Sequence, residues 1–220
     1  MKKDFWGKAV WCLIHSTAAG YKPQNRHSYK QFIYALRGLL PCPDCRNHLA
    51  ENLKTLELDR ITHASGSDVD YLSNNEKLFL WTFFLHDLVN RQLHKVSPGY
   101  EAIKNYYFNS LLNKKSWGPC IWTSIHCIAA VYKPESKQAF KQFIYSLPGI
   151  LPCEECRSHL IENLKILPLT DHYLENNHNL FLWTYLLHDA TNKQLRKVSP
   201  SFEKVKTIYF DENFCPDCGK

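Results

Sequence analysis

Apolar residues fall at helical spacing along nearly the whole chain. From Trp6 to Ala19, Trp6, Val10, Ile14 and Ala18 recur every four residues, and Trp11, His15 and Ala19 form an adjoining stripe. That pattern predicts a helix ending before Tyr21-Lys22-Pro23. A second helix is predicted from about Ser28 to Leu39, burying Phe32, Ile33, Leu36 and Leu39, and a third from Cys42 to about Thr55, with Leu49 and Leu53 on one face. The polar stretch from Leu56 to Ser73 contains Ser65-Gly66-Ser67-Asp68 and reads as loop. A longer fourth helix runs from about Asn75 to His94 through Leu78, Trp81, Leu85, Leu88 and Leu93. Ser97-Pro98 is expected to cap a short fifth helix ending near Phe108. No alternating run is bounded by turn signals, so no strand is predicted.

The pattern then starts again. Residues 6–54 are identical to residues 117–165 at 28 of 49 positions, and 74–98 to 176–200 at 17 of 25, which makes the chain a tandem duplication. The expected organisation is all-α: a first helical-bundle domain over 1–108, a linker over 109–116, a second domain over 117–210, and a tail over 211–220. Each domain has four helices plus a short fifth. Two such units can pair as the subunits of a symmetric dimer do, so the duplication predicts an intramolecular pseudo-dimer, packed through first and second helices and monomeric in solution.

Composition narrows the class. With 45 % hydrophobic and 14 % aromatic residues the chain is globular. No apolar run approaches the ~20 residues of a membrane span. The start, Met1-Lys2-Lys3-Asp4-Phe5-Trp6, has no continuous apolar core of a secretory signal, so a cytoplasmic location is expected. The net charge of +6 is spread along both copies, which reads as solvated surface and argues against a nucleic-acid partner. Nine cysteines are many for a protein of a reducing compartment, so catalytic use of sulfur is favoured over stapling.

Leu40-Pro41-Cys42-Pro43-Asp44-Cys45-Arg46 returns as Leu151-Pro152-Cys153-Glu154-Glu155-Cys156-Arg157. A Cys-x-x-Cys that opens a helix sets its first sulfur among unpaired backbone N–H groups, which favour the thiolate. Pro41 and Pro152 are taken as marks of the helix start. The alternative is structural zinc, whose paired motifs are usually separated by roughly 15–20 residues; here they lie 111 apart, which favours a redox pair. No strand–helix–strand unit surrounds either motif, which argues against a thioredoxin fold.

In each copy three motifs stand in order: Trp11-x-x-x-His15, Cys42-x-x-Cys45 and His86-Asp87-Leu88-Val89-Asn90 with Lys95 beyond, then Trp122-x-x-x-His126, Cys153-x-x-Cys156 and His188-Asp189-Ala190-Thr191-Asn192 with Lys197. Their order and spacing strongly resemble the Erv/ALR family of flavin-linked sulfhydryl oxidases, small helical bundles that bind FAD beside a Cys-x-x-Cys. The resemblance implies that Trp11, His15, Tyr21, His48, His86, Asn90 and Lys95 in the first copy, and Trp122, His126, Tyr132, His159, His188, Asn192 and Lys197 in the second, hold FAD. It implies that Cys45 and Cys156 face the flavin while Cys42 and Cys153 exchange with the incoming disulfide. It further implies thiol-bearing protein substrates, molecular oxygen as acceptor with hydrogen peroxide as product, and, for a viral-type member, residence in the host cytoplasm or virion.

Two departures stand out: the family's Asn after the motif histidine is Asp87 and Asp189 here, and the family's structural disulfide is replaced by aromatic positions at Phe83 and Tyr100, or Tyr185 and Phe202. A third pair, Cys215-Pro216-Asp217-Cys218, resembles the shuttle that family members carry on a tail. Cys12, Cys120 and Cys127 are left with their pairing open, except that Cys120 and Cys127, two turns apart on one helix at ~10 Å, cannot bridge each other. The competing readings are a non-catalytic helical scaffold and a zinc-binding adaptor built on the three pairs.

Overall fold

The computed structural model describes residues 2–58, 60–62, 68–111 and 113–211. Ten helices are described. The first copy holds α1 (Lys3–Ala19), α2 (Arg26–Leu39), α3 (Pro43–Thr55), α4 (Asn75–Gln92) and α5 (Tyr100–Ser110). The second repeats them as α6 (Lys114–Ala130), α7 (Lys137–Ile150), α8 (Glu154–Ile166), α9 (Asn177–Gln194) and α10 (Phe202–Phe210).

Local chemistry sets the boundaries. Cys42 and Cys153 are themselves the N-caps of α3 and α8, each thiol accepting from the backbone N–H of the second cysteine, at 3.3 and 3.2 Å. Pro41 and Pro152 stand before the cap rather than in the first turn, and Pro43 takes the first helical position of α3. Asn74 and Asn176 cap α4 and α9, accepting from the N–H of Lys77 and Asn179 at 2.8 and 2.9 Å. Three expectations are corrected. Gly99, not Ser97-Pro98, is the N-cap of α5. Most of the stretch expected as a linker is helical, since α5 runs through Ser110 and α6 begins at Lys114. The loop after α3 contains a short antiparallel hairpin, β1 (Arg60–Thr62) with β2 (Asp68–Asp70), registered Arg60 to Asp70. It is tied down where Asp70 takes a bidentate pair from Arg26, at 2.8 and 3.0 Å.

The copies meet through α1 on α6 and α2 on α7. Phe32 and Phe143 stack across that seam with centroids 6.0 Å apart, and one contiguous apolar core runs through both copies. A disulfide joins Cys12 of α1 to Cys120 of α6, so one pair of cysteines does staple, against the expectation from cysteine usage. Contact is also close where α1 ends. A Cβ placed on Gly20 would stand 2.9 Å from Pro152, the residue before Cys153. At the equivalent position of the second copy the chain has Val131.

Two glycines of this seam region therefore differ in what they tolerate. Gly20→Ala should destabilise by about 1–3 kcal/mol through overpacking. Gly7→Ala, inside α1 with no atom within 4 Å of the added carbon, should stabilise by about 0.5–1 kcal/mol. Denaturant midpoints of the two variants read the contrast, and a Gly20→Ala protein as stable as the wild type would contradict the close packing.

Candidate active site

The site is built where α1 faces α4, and again where α6 faces α9. Trp11 and His15 lie one turn apart on α1 and meet His86 of α4. The Trp11 and His86 rings stack at 3.9 Å with 5° between planes, and the Trp122 and His188 rings at 4.1 Å with 3°. His15 Nε2 lies 3.0 Å from His86 Nδ1, and His15 Nδ1 lies 2.9 Å from Thr82 Oγ1. His126, His188 and Thr184 repeat this arrangement at 3.0 and 3.0 Å. His15 and His126 are buried. Burial, then the neighbouring imidazole, pushes His15 and His126 down to about 3, and burial foremost pushes His86 and His188 down to about 4. All four are uncharged near neutral pH.

The far end of α4 is shaped by its termination. His94 and Arg196 adopt φ of 54°, the left-handed turn that lets Lys95 N–H reach Asn90 O and Lys197 N–H reach Asn192 O, both at 2.8 Å. Asn90 and Asn192 each donate from Nδ2 to a serine hydroxyl, Ser97 and Ser199, at 3.0 Å. Ser97 in turn donates to Asp87 at 2.7 Å, and Asp87 pairs with Arg91 at 2.6 Å. Asp189 pairs with Lys193 at 2.7 Å, and the hydrogen bonds of Lys193 and Ser199 hold its carboxyl below the usual range. The carboxylates of Asp87 and Asp189 are thus each matched by a cation within the same helix.

In the second copy these elements enclose a cavity of about 670 Å³. Trp122, His126, Cys156, His159, His188, Asn192 and Lys197 all line it, joined by Lys114, Ser199 and Tyr209. In the first copy a cavity of about 270 Å³ lies against His15, His86, Ile103, Tyr106 and Tyr107, the positions equivalent to the α10 side of the larger one. Lys95 there pairs with Asp4 at 3.9 Å, and His48 on α3 is exposed.

Cys42, Cys45, Cys153 and Cys156 are free thiols, and of these Cys156 lines the larger cavity while neither Cys42 nor Cys45 lines the smaller one. Burial foremost, then the adjacent first cysteine, pushes the thiols of Cys45 and Cys156 up to about 12. Lys114 pairs with Glu155, between the two cysteines of α8, at 2.5 Å. Tyr21 and Tyr132 are not brought to either cavity. Their rings are buried and their hydroxyls donate to the carbonyls of Leu72 and Leu174 at 3.0 Å, fastening the loop before α4 or α9 to the end of α1 or α6. Cys215 and Cys218 lie outside the described residues.

Sequence reasoning missed Thr82 and Thr184, Ser97 and Ser199 in their hydrogen-bonding role, and the amides that join the cysteine helix to the histidine helix. Asn52 and Gln92 exchange hydrogen bonds at 3.3 and 3.0 Å, and Asn163 donates to Gln194 at 3.0 Å and to Thr191 at 3.1 Å. A signal was present: Leu78-Phe79-Leu80-Trp81-Thr82 recurs unchanged as Leu180-Phe181-Leu182-Trp183-Thr184. Among the described residues no group of three or more His, Cys, Asp or Glu side chains is placed to hold a metal ion, and no helix is long and apolar enough to cross a membrane.

The histidine burial has a pH consequence. Folded values below the ordinary 6.5 mean that the unfolded chain takes up protons the folded chain refuses. Stability is then complete above pH 6.5 and is lost as pH falls through that value toward 4. The urea midpoint should drop already between pH 6.5 and about 5, above the range where carboxylates titrate. A midpoint constant over that interval would contradict four neutral buried imidazoles.

The chain matches the Erv1 / Alr family twice, over residues 8–108 and 119–210. Among similar proteins, a relative named FAD-linked sulfhydryl oxidase from African swine fever virus (isolate Pig/Kenya/KEN-50/1950) is 34 % identical over 97 residues, 42 % of this chain and 79 % of the relative. A relative from Invertebrate iridescent virus 3 is 33 % identical over 94 residues, 41 % of this chain and 57 % of the relative. A plant relative, the FAD-linked sulfhydryl oxidase ERV1 of Oryza sativa subsp. japonica, is 27 % identical over 99 residues, 43 % of this chain and 45 % of the relative. Each alignment has the length of one copy. No solved structure matches the chain.

Proposed function

Since the chain belongs to the Erv1 / Alr family, we propose that it is an FAD-linked sulfhydryl oxidase of viral type, with one complete site in each copy, that forms disulfides in thiol-bearing protein substrates. The observation that carries this reading is the second cavity, whose wall combines the inner cysteine of a Cys-x-x-Cys with the tryptophan–histidine cluster and a lysine. Its volume of about 670 Å³ falls within the usual range of small-molecule sites, roughly 300–1,000 Å³. Aromatic and aliphatic walls, uncharged imidazoles and the lysines Lys114, Lys115 and Lys197 suit a flat heteroaromatic cofactor with anionic phosphates.

Trp122, His126, His188, Asn192 and Lys197 would hold FAD in the second copy, and Trp11, His15, His86, Asn90 and Lys95 in the first. Bound FAD supplies a two-electron acceptor beside the inner cysteine. The chain's own sulfurs do the exchange. A substrate thiolate attacks the sulfur of Cys42 or Cys153 in the oxidised pair, and the bond to Cys45 or Cys156 breaks. A second substrate thiol then closes the substrate disulfide and leaves the pair as two thiols, the state in this structure. Cys156 lines the cavity and Cys153 does not, so the outer sulfur of each pair is the one proposed to exchange with substrate. Molecular oxygen is the proposed final acceptor, with hydrogen peroxide the product. The tail pair, Cys215 and Cys218, is the proposed relay from substrate to an inner pair.

The proposed assembly is a monomer whose internal seam replaces a subunit interface, acting in the host cytoplasm or the virion. The purified chain should be yellow and release two FAD per polypeptide on denaturation. A colourless preparation would sink the reading, and one FAD per polypeptide would show that one copy is silent.

A further inference from the structure

The hydroxyls of Thr82 and Thr184 settle which nitrogen of each site histidine carries its proton. Thr82 Oγ1 lies 2.7 Å from the carbonyl oxygen of Phe79, and Thr184 Oγ1 lies 2.8 Å from that of Phe181. A carbonyl only accepts, so at that separation the single hydroxyl proton must point at it. Each threonine oxygen can then only accept from the histidine 2.9 or 3.0 Å away, and His15 and His126 must carry their proton on Nδ1. Both imidazoles are buried and neutral, which leaves Nε2 bare. The nitrogen facing it at 3.0 Å, Nδ1 of His86 or His188, therefore supplies the proton of that contact. These outer histidines are also neutral, so their own Nε2 is left as an unprotonated acceptor on residues that line the two cavities.

We propose that Thr82 and Thr184 are positioning residues that hold a one-way hydrogen-bond relay, in which the outer histidine donates to the buried histidine and the buried histidine to the threonine, so that His86 Nε2 and His188 Nε2 always present a lone pair and FAD must offer an O–H or N–H donor to each. The relay stands on this chain's hydrogen-bond geometry and on the neutrality of its buried imidazoles. Only its meeting with a cofactor donor rests on the FAD reading above. An untethered imidazole can carry its proton on either nitrogen, and a bound partner decides which. Without the threonine acceptor, His15 would move its proton to Nε2 and donate to His86, which would then carry its own proton on Nε2. The acceptor facing the cofactor would become a donor, and two donors would meet.

The test is nitrogen NMR of the full chain labelled with ¹⁵N-histidine, recorded with FAD bound and after FAD is stripped. Long-range ¹H–¹⁵N correlations should give four imidazoles, assigned through His→Gln variants at positions 15, 86, 126 and 188, with Nδ1 protonated and Nε2 bare. Thr82→Val should invert the pattern of His15 and His86 while leaving His126 and His188 as they were, and Thr82→Ser should restore it. Affinity for FAD at the first site should fall about tenfold or more in Thr82→Val, with the second site as the internal control. If the wild-type spectrum shows His86 or His188 protonated on Nε2, the relay is overturned, whether or not any variant folds. Correct tautomers with an unchanged first-site affinity in a Thr82→Val protein whose tautomers have inverted would overturn the cofactor half of the proposal. Correct tautomers in a chain that binds no FAD would leave the relay standing and remove the oxidase reading instead.

Discussion

Helix α1 is enclosed on both of its long sides, and the rest of the molecule follows from that. One side packs on α6 and carries the disulfide of Cys12 with Cys120; the other packs on α4 and carries Trp11 and His15 into the site. A helix hydrophobic on one stripe only could serve one of these contacts. From Leu13 to Ala19 every residue is buried, with Ser16 and Thr17 the polar exceptions beside His15. Thr17 satisfies its hydroxyl on the carbonyls of its own helix, at 2.8 and 3.0 Å to Leu13 and Ile14. His15 satisfies both nitrogens on α4, which makes the burial of a polar side chain tolerable and fixes the spacing of the two helices at the same time. The site is therefore a by-product of the core: the same contacts that close the bundle aim its imidazoles.

Duplication within one chain lets the two sites part ways, since each side of the seam can change alone. Phe5 of the first copy lies 6.1 Å from the ring of Tyr209, a wall of the second cavity, whereas the residue equivalent to Phe5 is Ser116. Gly20 lets the approach to Cys153 come close to α1, while the second copy has Val131 at the equivalent position. Tyr106 lies at the smaller cavity where Ile208 lines the larger one, and Thr191 shares the buried amide of Asn163 where Val89 stands in the first copy. A symmetric dimer of identical subunits could hold none of these differences.

Helix spacing and the repeat were readable because both are local: each helix owes its place to a four-residue period, and the copies report each other's boundaries. In the second copy most residues of the ordered motifs line one cavity, whereas in the first only His15 and His86 of them do. What escaped depends on partners distant in the chain. Cys12 and Cys120 are joined only because α1 lies on α6, and Thr82 reads as an ordinary core threonine until His15 is seen across from it. Tyr21 and Tyr132 were expected at the cofactor, but each follows a helix end whose neighbouring loop needs a hydroxyl to close, and they serve Leu72 and Leu174. Ser97 was read as a helix cap on its residue type alone, yet Asp87 and Asn90 of the preceding helix compete for its hydroxyl and win. The hairpin was invisible because three-residue strands leave too short an alternation to detect.

The account requires two complete sites, each reducing its own flavin through its own cysteines. The most direct measurement removes one pair at a time. The double variants Cys42→Ser with Cys45→Ser, and Cys153→Ser with Cys156→Ser, both loaded with FAD, are mixed anaerobically with dithiothreitol while the flavin's visible absorbance is followed. Each variant should keep rapid bleaching of half its flavin and lose it for the other half. Full rapid bleaching in both variants, or complete loss in either, would contradict two self-contained sites.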